Sequence, residues 1–72
     1  MDISQTMLLN QIQNTNSELL KKIKETENIN NLLLLNYYKT TNQIILHELK
    51  EITRKNIELE QKTLELIQKI KR

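Results

Sequence analysis

Seventy-two residues make at most one small domain, and a single chain of this size seldom buries enough apolar surface to offset its conformational entropy, so a partner is expected. There is no Ala, Val, Phe, Trp, Cys, Gly or Pro; this excludes disulfides, thiolate metal sites, a thiol nucleophile and the glycine loops that cradle phosphate. Eleven basic and nine acidic side chains give +2 overall, with four acids and three bases over residues 1–36 and five acids and eight bases over residues 37–72, a mild asymmetry.

Asp2 followed by Gln5 has the spacing of a capping box, which predicts a helix from the first residues. A row then recurs at alternating steps of three and four, apolar except at its Asn and Thr members: Leu9, Ile12, Asn16, Leu19, Ile23, Thr26, Asn30, Leu33, Tyr37, Thr40 and Ile44. This is a heptad seam. It breaks at His47, Glu51 and Arg54, and a second seam, Leu49, Ile52, Asn56, Leu59, Thr63, Leu66 and Ile70, replaces it two residues out of phase. Lys69, Lys71 and Arg72 complement the carbonyl end of a helix dipole. Glu18 with Lys22, Glu51 with Lys55, Glu58 with Lys62 and Glu65 with Lys69 are expected i,i+4 ion pairs, each adding about 0.3 kcal/mol.

A longer period runs through both seams. Met1, Ile12, Ile23, Leu34, Ile45, Asn56 and Ile67 recur every eleven residues, flanked by Leu8, Leu19, Asn30, Thr41, Ile52 and Thr63. Such a repeat gives about 3.67 residues per turn, a stripe that stays nearly straight along one continuous helix of roughly 110 Å. Leu34 and Ile45 are the central core positions on this reading. The predicted fold is therefore all-α: one segment over residues 1–72, a single long amphipathic helix forming a coiled coil. The alternative is an antiparallel helical hairpin bending near residues 36–43, with the tract NYYKTTNQ as its loop; without Gly or Pro that tract is a poor breaker, so the rod is preferred. Asn28, Asn30 and Asn31 mark the softest helical stretch.

Candidate chemistry is sparse. His47-Glu48 begins like a zinc-binding HExxH, but Glu51 stands where the second histidine belongs, which leaves His47 a solvated or seam-edge residue. Ser4 and Ser17 have no activating histidine nearby. No catalytic set, metal site, cofactor or small-molecule substrate is expected. Tyr37 and Tyr38 are the only aromatics, either core residues with rim hydroxyls or an interface anchor. The bases at Lys50, Arg54, Lys55, Lys62, Lys69, Lys71 and Arg72 are interleaved with Glu48, Glu51, Glu58, Glu60 and Glu65, the pattern of a solvated face more than of a nucleic-acid or anionic-membrane footprint. Asn16 and Asn56 occupy equivalent places in a repeated L-x-x-I-x-x-x-N-x-x-L pattern, from Leu9 to Leu19 and from Leu49 to Leu59. A buried Asn at such a position specifies register or strand number; an asparagine-rich composition produces the same pattern by accident.

Gln5, Leu8, Leu9, Ile12, Thr15, Asn16 and Leu19, within QTMLLNQIQNTNSELL, resemble the opening of KxDL-motif proteins, small coiled-coil subunits of complexes that position lysosomes and related organelles. The resemblance covers residues 5–20. At the place of the family's naming motif stands Lys50-Glu51-Ile52-Thr53, without the Asp-Leu pair. The functional expectation is a cytoplasmic, non-enzymatic assembly module that packs against identical or different helical chains. Its expected interface comprises Leu8, Leu9, Ile12, Asn16, Leu19, Ile23, Leu33, Leu34, Tyr37, Tyr38, Ile45, Leu49, Ile52, Asn56, Leu59, Leu66 and Ile67. A basic helical binder of nucleic acid or anionic membrane is the alternative.

Overall fold

The computed structural model describes residues 3–71, with two helices and no strand among them. Helix α1 spans Ile3–Leu32 and α2 spans Asn36–Lys71. They lie antiparallel as a slender hairpin measuring 55 × 15 × 13 Å. The fold is all-α, and of the two helical arrangements weighed from sequence it is the hairpin. Asp2 and Arg72 lie outside the described residues.

The fold-back falls at residues 33–35, ahead of the 36–43 tract expected to form a loop, and that tract is helical. Two local causes are visible. Asn28, Asn30 and Asn31 are poor helix formers and weaken the end of α1, whose last bond tightens to an i→i−3 contact from Leu33 N–H to Asn30 C=O at 3.3 Å. Beyond the break, threonine is made tolerable in helix by hydroxyls that return to the preceding turn: Thr41 donates to Tyr37 C=O at 3.1 Å, as Thr26, Thr53 and Thr63 do to Lys22, Leu49 and Leu59. Lys39 N–H to Leu35 C=O, 3.1 Å, opens α2 and puts Leu35 at its N-cap, a residue with no side-chain acceptor to offer.

The seam between the helices is narrow and mixed in polarity. From α1 it takes Leu9, Ile12, Asn16, Leu19, Ile23, Thr26, Asn30 and, at the turn, Leu33, each buried or half-buried. These coincide with the heptad positions read from sequence. From α2 it takes Asn42, Leu46, Leu49, Thr53, Asn56, Glu60, Thr63 and Ile67, again in alternating steps of four and three. Only half of the second predicted seam lies here. Leu49, Asn56 and Thr63 face inward, whereas Ile52, Leu59, Leu66 and Ile70 turn outward and cede their places to Thr53, Glu60 and Ile67.

Candidate helix-helix interface

Inside the hairpin the two most buried residues are polar, Thr53 at 3% exposed and then Asn16. Asn16, 4% exposed, donates from Nδ2 to the Asn56 carbonyl at 3.1 Å and to Glu60 Oε1 at 2.9 Å. The two asparagines singled out by the repeated pattern therefore meet across the seam. Further along, Asn42 Nδ2 donates to Thr26 C=O at 3.0 Å, and Lys50 Nζ stands 3.4 Å from Glu27 Oε1. Each cross-link joins specific partners, so a slip of one turn would break all of them together. This polar stitching has a cost: Asn16 Oδ1, Gln5 Oε1 and Asn30 Oδ1 are buried without a protein partner, and a buried unpaired acceptor is destabilising.

The apolar contribution is small. Among the described residues Ile67, at 5% exposed, is the only buried hydrophobic side chain, while seventeen large hydrophobics are exposed. Of the expected interface residues, Leu9, Ile12, Asn16, Leu19, Ile23, Leu33, Leu49, Asn56 and Ile67 lie in the hairpin seam. Leu8, Leu34, Tyr37, Tyr38, Ile45, Ile52, Leu59 and Leu66 do not. Leu34, expected at the centre of a core, is 93% exposed within the single chain, because it sits at the apex of the turn. Leu46, Thr53 and Glu60 were missed. Their signal was the four-three spacing through Leu49, Asn56 and Ile67, masked by the more apolar row beside it.

The outward residues fall into two surfaces. Ile45, Ile52, Leu59 and Leu66 form a row on α2 at strict seven-residue spacing, each about half exposed. This row drifts only about 20° per heptad around the helix. Leu59 also lines, with Leu8 and Ile12, a groove of about 280 Å³ between the helices, so the row continues onto α1. The second surface is the turn: Leu32, Leu34, Leu35, Tyr37 and Tyr38 crowd its tip, all exposed, the two rings meeting edge to face at 5.4 Å. Over residues 28–46 the single charged side chain is Lys39. A separate groove of about 420 Å³ has Leu20, Ile23, Thr53 and Ile57 as its walls, with Lys50, Arg54 and Glu58 among its lining.

Ion pairing within α2 centres on Arg54. The expected i,i+4 partners are replaced by a two-handed contact, in which Arg54 reaches Glu58 at 2.7 Å and Glu51 at 3.3 Å. The hydrogen bond and charge of Glu51, then the charge of Glu58, hold the Arg54 guanidinium above its usual value. On α1, Lys22 pairs with Glu25 at 3.4 Å. All these groups are well exposed, so solvent screens each pair and it contributes little to stability. Among the described residues no group of His, Asp and Glu is placed to hold a metal ion, and no helix is long and apolar enough to cross a membrane. Comparison with protein families, with curated proteins and with solved structures finds no match.

Proposed function

We propose that this chain is an assembly module, a helical hairpin that completes its core by packing its outward apolar surface against other helices. One observation carries the reading: among the described residues the hairpin buries a single hydrophobic side chain while leaving a heptad-spaced row on α2 and an apolar tip open to water. Contiguous apolar surface of this kind marks an interaction site. The row has the spacing of a coiled-coil seam, which suits another helix better than a flat or polar partner. Its likeness over residues 5–20 to KxDL-motif coiled-coil subunits points in the same direction, and a cysteine-free chain suits the cytoplasm.

Melting temperature and helix content should rise with protein concentration, because association adds stability by mass action to a pair of helices that is marginal alone. Circular dichroism across a hundredfold range of concentration, with sedimentation in parallel, checks this. A well-folded monomer with concentration-independent melting overturns the reading.

Binding to nucleic acid or an anionic membrane is the competing function, and the ion pairs weigh against it: Lys22, Lys50 and Arg54 are already matched with carboxylates. Lys55→Gln combined with Lys62→Gln should therefore change association by no more than a few tenths of a kcal/mol. Loss of partner binding in that double variant, with a flattened salt dependence, would favour the phosphate-binding alternative.

A further inference from the structure

We infer that a second copy of this chain is one partner, and that it associates by exchanging helices: the turn opens, and two extended chains pair antiparallel so that α1 of each packs on α2 of the other. This rests on the assembly reading and adds the identity of one partner and a contact through the seam, which leaves the outward row of α2 as open in the exchanged pair as in the hairpin.

The turn itself supplies the first argument. Residues 33–35 are all leucine, a strong helix former, and no described residue has a positive φ, so the turn lacks the left-handed glycine that ends many helices. Leu35 leaves α2 without a side-chain cap. Nor is the dipole answered: the last turn of α1 carries no base and the first turn of α2 no acid. Continuing the helix through these three residues would pair backbone groups that the turn leaves open, and a short hinge without flexible residues is the setting in which exchange occurs.

The second argument is complementarity already present on the page. In an exchanged pair, Asn16 to Asn56 and Glu60, Asn42 to Thr26 and Lys50 to Glu27 are all re-formed between chains, so a second copy matches the seam residue for residue. The four cross-links put the midpoint of the register between residues 34 and 39. Leu34, the most exposed large hydrophobic among the described residues, would thus lie within about one helical turn of the two-fold axis, near its own copy. The eleven-residue row agrees. Ile12, Ile23, Asn56 and Ile67 of that row already face the seam in the hairpin, and only Leu34 and Ile45, at and after the turn, stand out of it. Opening the turn would bring Leu34 onto the stripe of Ile12, Ile23, Asn56 and Ile67, whereas Ile45 already lies in the unbroken α2 and stays outside it.

The test uses the whole chain carrying spin labels at Lys24→Cys and Lys55→Cys, diluted into unlabelled chain so that only intrachain distances are read. Where sedimentation shows dimer, the distance should lengthen from about two helix diameters, roughly 20 Å, to roughly 46 Å, the helical rise over the intervening residues. Leu34→Asp should weaken the dimer at least tenfold yet leave the melting of the dilute monomer unchanged, since that side chain is already in water. Inserting Gly-Ser-Gly-Ser after Leu34 should restore the short distance and lower the dimer fraction. A dimer that keeps the short intrachain distance overturns helix exchange and leaves the assembly reading standing; so does a chain that folds only with a different protein. A stable monomer that associates with nothing overturns both.

Discussion

Asn16→Asp should unfold most of the hairpin at neutral pH. The substitution replaces an amide that donates to Glu60 at 2.9 Å by a carboxylate at the same place, in a site only 4% exposed. A buried carboxylate beside the half-buried Glu60 at that separation cannot ionise cheaply, and the donor to the Asn56 carbonyl is lost as well. The expected loss is about 3 kcal/mol, a large share of what a chain of this size can hold. Its pH dependence has a definite sign. Repulsion raises the apparent pKa of the variant's carboxylate pair above its unfolded value, so the folded state binds the extra proton. The deficit is therefore fully present above the raised pKa and shrinks as pH falls through it toward the unfolded value. Thermal melts between pH 4 and 8 check this; in Asn16→Asp with Glu60→Gln, where an amide faces the carboxylate, much of the loss should be recovered. A pH-independent deficit would show that Asn16 acts only through its shape.

Ile52→Asp with Leu59→Asp should abolish association through the outward row while leaving the dilute hairpin, and an exchanged pair held by the seam, nearly as stable as before. Both side chains are about half exposed in the single chain, so each still has about 1 kcal/mol to gain from burial by a partner, and a carboxylate in their place must be stranded or protonated in a dry contact. The combined effect should exceed a hundredfold in the association constant. Sedimentation gives the association, and circular dichroism at the lowest workable concentration gives the hairpin. Unchanged oligomer mass would move the interface off this row and onto the turn or the Leu20 and Ile57 groove.

The two helices were not equally legible. On α1 the inward positions are those the heptad pattern gives, from Leu9 to Leu33, because there the apolar residues and the seam share one phase. On α2 a pattern search finds the strongest row, Ile52, Leu59 and Leu66, which the single chain leaves outside. The row packed against α1 runs one residue later through Thr53, Glu60 and Ile67, where Glu60 accepts a hydrogen bond from Asn16 that hydropathy does not register. The turn was hidden for a related reason. Gly and Pro announce turns by their backbone preferences, whereas this one follows a run of asparagines and is made of leucine, the residue expected to carry a helix onward. Threonine at 41 misled in the opposite sense, since its bond to Tyr37 keeps a loop-like tract helical.

The hairpin brings the start of α1 and the end of α2 to one end of a 55 Å body, with the turn at the other. Tension applied between those two ends meets the cross-links one after another, first near Ile67, then at Asn16 and Asn56, then at Glu27 and Lys50, and finally at Thr26 and Asn42. The folded chain is accordingly a zipper that yields at low force and recloses from its turn. Two exchanged chains pulled by opposite ends of the assembly would instead carry the load along their helices, with every cross-link strained in parallel. The same few contacts thus make a compliant element in one topology and a stiff strut in the other.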